Sequence, residues 1–328
     1  MQVLAHELEN HPQRHLIKRS LVSLLQVGRH EHGRHEWRLI SGALADISEA
    51  LEVFRPRCNT RKITVFGTAR TVQSDPSYAL AEKLARYAVA AGFDVMTGAG
   101  GGLNVDLPFE QHANRFVSSC DGRLLHFRYF FTRKLFFLRE SDALVVMPGG
   151  FGTLDELVES LTLIQTGRTP PIPLVLLAPP GNPFWSGWQR DVSQGLAASG
   201  LISPEDGDIL REAHSAEEAV AHISRFYRLF HSARLGDNRI ELLLNCALQP
   251  VQLTALNLHF DDLVDEGVIQ ASETVDDAGL LRPCLNFHFN HRRIGRLYQL
   301  LDTLNGLEVP PEQLLTEPGR RQPSSSAP

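Results

Sequence analysis

The chain has 328 residues, 43% of them hydrophobic and 21% charged, with a formal net charge of −6 and a pI near 6.2, values of a globular protein with length for one or two domains and a large core. The acidic balance argues against bulk binding of nucleic acid or an anionic membrane, and no apolar run approaches the roughly 18 residues of a membrane span. The start, MQVLAHELENHPQRH, lacks the charged-then-apolar order of a secretory signal, and Cys58, Cys120, Cys246 and Cys284 form no CxxC, so a reduced, cytoplasmic protein with unpaired thiols is expected.

In chain order, residues 1–60 read as a helical segment. Trp37, Ile40, Leu44, Ile47, Leu51 and Phe54 follow a 3-4-3-4-3 spacing that aligns them along one stripe of a helix. GRHEHGRHE at 28–36 gathers His30, His32 and His35, but one-sided histidine clusters without carboxylate or thiolate partners are usually solvated turns, and no metal is expected. The pattern then changes to strands alternating with helices. KITVFG (62–67) is a strand ending at Gly67. A helix follows with Asp75 as N-cap, Pro76 at N1 and Gly92 past its end, its buried face formed by Leu80, Leu84, Tyr87, Ala88 and Ala91. FDVMTG is a second strand, FTRKLFFLRE a helix, ALVVM (143–147) a strand, LDELVESLTLIQTG a helix and LVLLA (174–178) a strand, after which 181–230 looks helical.

From about 231 a smaller α+β segment is expected to run to 305. Val251–Glu266 reads as an amphipathic helix. CLNFHF (284–289) alternates Leu285, Phe287 and Phe289 against Asn286 and His288, as in a half-buried strand, and Asn290 is placed to cap a helix through Leu301. The Pro- and Ser-rich stretch 306–328 is expected to be disordered. The fold class is therefore α/β: a Rossmann-like, mostly parallel sheet with helices on both faces over 61–230, with an N-terminal helical and a C-terminal α+β extension.

The stretch SDALVVMPGGFGTLDELVE (141–159) carries the chemistry. A strand without charge runs through Pro148-Gly149-Gly150-Phe151-Gly152-Thr153 directly into a helix. Glycines let the backbone approach a ligand closely, first-turn amides lack intrahelical partners, and the helix dipole favours an anion such as phosphate. The motif is neither a dinucleotide GxGxxG nor a Walker loop, since no GK[ST] follows. Thr153-Leu154-Asp155-Glu156 also fits a capping box, with Thr153 as N-cap and Glu156 at N3. On spacing alone Glu156 is thus a cap or a catalytic acid.

PGGFGTLDE resembles the PGGxGTxxE signature of the Lonely Guy family of nucleoside-monophosphate phosphoribohydrolases, long mislabelled lysine decarboxylases. VFGTAR (65–70), VMTGAG (95–100), GLNVDLPFEQ (102–111), FRYFFTRKLFF (127–137) and LTLIQTG (161–167) resemble the same family in order, over roughly residues 60–230. The resemblance implies cleavage of the N-glycosidic bond of a purine nucleoside 5′-monophosphate, AMP or a cytokinin ribotide, without a cofactor and in a homodimer. It makes Arg133 and Glu156 the catalytic positions. Gly149, Gly150, Gly152 and Thr153, with Lys134, Gly67, Thr68, Gly98 and Gly100, would hold the substrate and its phosphate. Adjacent helical residues point about 100° apart, so Arg133 and Lys134 cannot both face one pocket squarely.

One departure stands out. In the family the turn after the FDVMTG-like strand continues as GGGPGxMEA and opens a helix whose glutamate lines the pocket. Here VMTGAG runs almost directly into GGLNVDLP, where a βαβ unit takes about 30 residues. Either a segment is missing, or a tight glycine turn lets LNVDL pair antiparallel, or LNVDL leaves the sheet. A non-catalytic module binding a nucleotide or another phosphorylated cofactor is the rival to the hydrolase.

Overall fold

A computed structural model describes residues 11–30, 33–68, 70–98, 103–105 and 125–321. The chain divides into two compact units, Met1–Glu49 and Ala50–Pro328. In the first lie helix α1 (Arg14–Gly28) and most of α2 (Arg34–Phe54), the latter covering the predicted apolar stripe.

The second unit is built on β1 (Lys62–Phe66), α3 (Pro76–Ala90), β2 (Asp94–Thr97), β3 (Leu103–Val105), β4 (Leu125–Phe127), α4 (Phe130–Glu140), β5 (Ala143–Val146), α5 (Phe151–Gln165) and β6 (Leu174–Leu177). They are followed by the short helices α6 (Phe184–Trp188) and α7 (Gln194–Ala198), then β7 (Leu210–Ala213) and α8 (Ala216–Phe226). Five strands form one parallel sheet in the order β2-β1-β5-β6-β7. All four residues of β5 and of β6 are buried. Successive strand side chains point to opposite faces, so both faces of the sheet centre are covered, the arrangement parallel sheets require. Each buried Leu or Val there contributes about 1.5–3 kcal/mol of transfer free energy. The α/β expectation holds.

Local signals set α3 as expected. Asp75 Oδ1 accepts from the Ser77 amide at 2.7 Å, Pro76 occupies the first turn, and Gly92 ends the segment at φ 84°. Its stripe is narrower than predicted: Leu80, Leu84 and Ala88 are buried, whereas Tyr87 and Ala91 are exposed. The strand β7 was not anticipated in the helical reading of 181–230. With only four residues, LREA, two of them charged, it shows neither an apolar run nor strict alternation, and its place beside β6 is what makes it a strand.

The glycine run has its outcome in β3. Leu103–Val105 does not pair antiparallel with β2; it pairs in parallel with β4 in a separate two-stranded sheet. Of the three expectations, departure from the main sheet is the one described. Ala99–Gly102 and 106–124, including Gly100, the rest of GLNVDLPFEQ and Cys120, lie outside the described residues.

Beyond α8 come β8 (Phe230–Leu235), β9 (Arg239–Leu244), α9 (Pro250–His259), β10 (Gln270–Val275), β11 (Leu281–His288) and α10 (Ile294–Gly306). The strands form an antiparallel sheet ordered β10-β11-β9-β8. Leu285, Phe287 and Phe289 are each 1% exposed while Asn286 and His288 are half-buried, as the alternation predicts. Helix α9 stops at His259, short of the predicted Glu266, and Arg293, not Asn290, precedes the first turn of α10; Asn290 instead accepts from the Arg292 amide in the preceding turn. The small sheet shares one unit with the large one, tied by Tyr298, whose hydroxyl donates to the Ile172 carbonyl at 2.8 Å.

Residues 306–321 correct the expectation of a disordered tail. Arg321 makes paired hydrogen bonds to Asp142 at 2.9 and 3.1 Å. Arg61, 1% exposed, donates to the carbonyls of Pro318 and Arg320 and lies 4.0 Å over the Tyr227 ring. Arg282, fully buried beside Asp276 at 2.6 Å, donates to Thr316 Oγ1. Composition predicts how a segment behaves alone; these buried donors supply partners that composition does not reveal. Among the described residues, no helix is long and apolar enough to cross a membrane, and no group of histidine, cysteine and acidic residues could hold a metal ion.

Candidate functional site

The strand order places β1 between β2 and β5, so the chain turns one way to β2 and the other way toward β5 and β6. This is a switch point, and ligands of open α/β sheets settle beyond the carboxyl ends of strands at such a place. The residues that emerge there are Gly67 and Thr68 after β1, Gly98 after β2 and Met147–Gly150 after β5. The Met147 amide donates to the Phe66 carbonyl at 2.8 Å, which holds the two loop starts side by side.

The turn into α5 has a different cap from the predicted capping box. Gly150 is the N-cap, in extended conformation (φ −87°, ψ −159°) and without a side-chain cap. The first intrahelical bond runs from Leu154 N to Gly150 O at 3.1 Å. The amides of Phe151, Gly152 and Thr153 therefore precede the helical ladder and point out of its end. Thr153 is a buried first-turn residue, and Glu156 sits a turn further in. The capping role is thereby excluded for Glu156.

The glycines of the turn differ in purpose. A Cβ on Gly149 would lie 2.2 Å from Thr153 Oγ1, so only glycine lets the loop pack on that threonine; a Cβ on Gly150 or Gly152 would meet nothing within 4 Å. The space above these two is open toward the free amides. Gly98 is also constrained: Arg133 Nη2 donates to its carbonyl at 3.1 Å, and a Cβ there would come within 2.6 Å of that nitrogen. On Gly67 a Cβ would only touch Met147 at an ordinary 3.5 Å.

Arg133 and Lys134, adjacent on α4, part in direction. Arg133 reaches the end of β2 and faces Glu156 electrostatically. Lys134 Nζ is 2.7 Å from Asp155 Oδ2 and 2.6 Å from Glu159 Oε2, both on α5. Desolvation pushes Glu156 up from 4.5 to about 7; Lys134 and then Arg133 oppose it, and Glu159 and Asp155 add to it. Among the described residues, Arg133 Nε and Glu156 Oε2 are buried here without a hydrogen-bond partner, while Glu159 Oε2, likewise buried, has the Lys134 ammonium 2.6 Å away. Burying a polar group without a partner costs about 1–3 kcal/mol. An unpartnered donor and acceptor near the start of a helix are the kind of groups found where ligands bind.

The sequence-predicted set thus falls into place unevenly. Gly67, Thr68, Gly98, Gly149, Gly150, Gly152 and Thr153 surround the switch point with Arg133 and Glu156 nearby; Lys134 is engaged by carboxylates; Gly100 is outside the described residues. Sequence reasoning missed Asp155 and Glu159 as partners of Lys134. Their four-residue spacing on one helix face was the available signal.

The family described as "Possible lysine decarboxylase" matches residues 88–223. Among curated proteins, a cytokinin riboside 5′-monophosphate phosphoribohydrolase from Arabidopsis thaliana is 33% identical over 95 residues, 29% of this chain and 42% of the relative. A second from the same plant is 34% identical over 95 residues, with the same coverage. A probable cytokinin riboside 5′-monophosphate phosphoribohydrolase from Oryza sativa subsp. japonica is 28% identical over 174 residues, 48% of this chain and 78% of the relative. The chain spans less than half the length of the Arabidopsis relatives. The expected resemblance to the Lonely Guy family is borne out over part of the chain. The VFGTAR stretch and the antiparallel sheet lie outside the family match.

The decarboxylase description would call for pyridoxal phosphate on a lysine, and the residues do not fit it. Lys134 is the lysine beside the turn. Desolvation pulls its ammonium down, but the hydrogen bonds it donates to Asp155 and Glu159 and the charges of Glu156 and Glu159 outweigh that and hold the proton more tightly than usual. A Schiff-base lysine must lose that proton.

Proposed function

We propose that the protein hydrolyses the N-glycosidic bond of a purine nucleoside 5′-monophosphate, AMP or a cytokinin ribotide, to free base and ribose 5-phosphate. The observation that carries this reading is Glu156: a desolvated carboxyl with one unpartnered oxygen, a turn beyond a helix N-terminus that no side chain caps and opposite an arginine with an unpartnered Nε. The 5′-phosphate would accept from the amides of Phe151, Gly152 and Thr153. Arg133 would hold ribose oxygens through Nε, and Glu156 would lie against the ribose.

As the bond from C1′ to the base nitrogen breaks, its electron pair leaves with the base and positive charge develops on the ribose. Ionised Glu156 stabilises that charge and takes a proton from the water that attacks C1′. Solvent supplies the proton the departing base needs. The proposal extends to a cytoplasmic protein without nucleic-acid or membrane partners, and to a homodimer. An apolar surface on α4 supports the dimer: Phe130, Phe131 and Leu135 are 53%, 53% and 50% exposed.

One observation favours the rival reading, a nucleotide-binding module without turnover. Only Ala99–Gly102 separates Gly98 from β3, too few residues for the crossover helix and its pocket glutamate. Incubation with AMP and with isopentenyladenosine monophosphate, followed by chromatography for free base, separates the two. Base release abolished by Glu156→Gln supports the hydrolase. A nucleotide-dependent thermal shift without release supports the module.

A further inference from the structure

We infer that Lys134 is a positioning residue for Glu156 and not a ligand of the substrate phosphate. The inference deepens the hydrolase reading and rests on it. Asp155 precedes Glu156 directly and Glu159 follows it by three residues, so three carboxylates crowd little more than one turn of α5. Like charges four apart destabilise a helix. Lys134, reaching across from α4, touches both flanking carboxylates at 2.7 and 2.6 Å with its side chain only 20% exposed. It thereby ties α4 to the turn of α5 that carries Glu156.

The same geometry disqualifies it as a phosphate ligand. An ammonium has three N–H groups, and two acidic residues already crowd this one. A phosphate dianion brought to it would meet the charges of Asp155 and Glu159 as well. The phosphate is served instead by the free amides at the start of α5, which no side chain covers at Gly150 or Gly152. Arg133, about 100° around the helix from Lys134, is directed to the Gly98 carbonyl and retains an open Nε. The adjacent pair divides the work: one residue for the ligand, the other for the carboxyl that acts on it.

Among the described residues, the charges acting on Glu156 are Lys134 and Arg133 from α4 and Glu159 and Asp155 from its own helix. Lys134 is the largest of those holding its proton affinity down. Without it, Arg133 alone opposes the two carboxylate neighbours of Glu156.

The test uses the full chain with Lys134→Met, Lys134→Arg and Glu159→Gln. Glutamate carboxyl carbons are followed by NMR through a pH titration, with Glu156 assigned from Glu156→Gln. The KM for AMP and the pH dependence of kcat are measured on the same variants. Lys134→Met is expected to move the Glu156 titration and the acid limb of kcat up by about one unit while KM stays within about twofold of the parent. Lys134→Arg returns both to the parent position. Glu159→Gln is the independent arm if Lys134→Met does not fold, and it moves the titration down. A Glu156 titration unmoved in either charge-removing variant overturns the inference. So does a KM raised about tenfold in Lys134→Met with an unmoved acid limb, the mark of a lost phosphate ligand. The carboxyl titration needs no turnover, so absence of base release refutes the hydrolase reading alone.

Discussion

Replacing Glu156 by glutamine removes a carboxylate whose ionisation the fold opposes. The folded protein raises this group from 4.5 to about 7. That difference, about 2.5 units (7 − 4.5), corresponds to ~3.4 kcal/mol at about 1.36 kcal/mol per unit. The side chain is only half-buried, and solvent screening reduces the expected effect to about 1–2 kcal/mol. A carboxyl with a raised folded-state pKa favours the folded state while it is protonated, and that contribution disappears as pH rises from 4.5 through about 7. Above that window the parent protein carries an ionised, poorly solvated group that glutamine lacks. Glu156→Gln is therefore expected to be more stable than the parent by about 1–2 kcal/mol near pH 8 and equal to it near pH 4. Urea unfolding of both proteins at several pH values measures this, with base release from AMP followed in parallel. A variant that is inactive and yet more stable above neutrality is the signature of a site strained for function. A stability difference independent of pH, or a variant less stable near pH 8, would refute the claim that the fold desolvates Glu156.

Four further outcomes are expected. If the ionised form of Glu156 is the active one, kcat/KM for AMP rises with pH and levels off above about 7, which a pH–rate profile reads directly. Gly149→Ala forces a Cβ against Thr153 Oγ1 and should cost about 1–3 kcal/mol of stability as an overpacked contact. Gly150→Ala has open space and a compatible φ of −87°, so it should melt within about 0.5 kcal/mol of the parent while weakening the thermal shift given by AMP. Arg321→Ala leaves Asp142 without its bidentate partner and should lower stability by about 2 kcal/mol without changing KM, because Asp142 lies at the start of β5, opposite the end that carries the turn.

Much of the site is written in short stretches of chain. The uncharged run ahead of Pro148, the glycines and the following periodic helix together dictate strand, turn and helix, because each signal acts within a few residues: side-chain alternation, a missing Cβ, helical spacing. Asp75, Pro76 and Gly92 bound α3 for the same reason. Arg133, Lys134 and Glu156 were singled out only through resemblance, and spacing alone favoured a cap over catalysis for Glu156. That ambiguity ended with the backbone of Gly150, which takes the N-cap position itself.

What local chemistry could not supply was every feature set by distant partners. LNV pairs with Leu125–Phe127 and not with β2, although both choices satisfy its own propensity. Lys62 N meets Asp142, 80 residues away, and Arg321 meets the same carboxylate from 179 residues away; composition alone marks the latter segment as disordered. The sequence by itself determined which residues make the glycine turn ahead of α5 and which acid follows it. Tertiary structure alone decided that β1 would lie against β5, that Lys134 would be spent on Asp155 and Glu159, and that Glu156 would lose its water. Proton affinity and strand partnership depend on what the rest of the chain brings within a few ångströms, and no window along the chain contains that information.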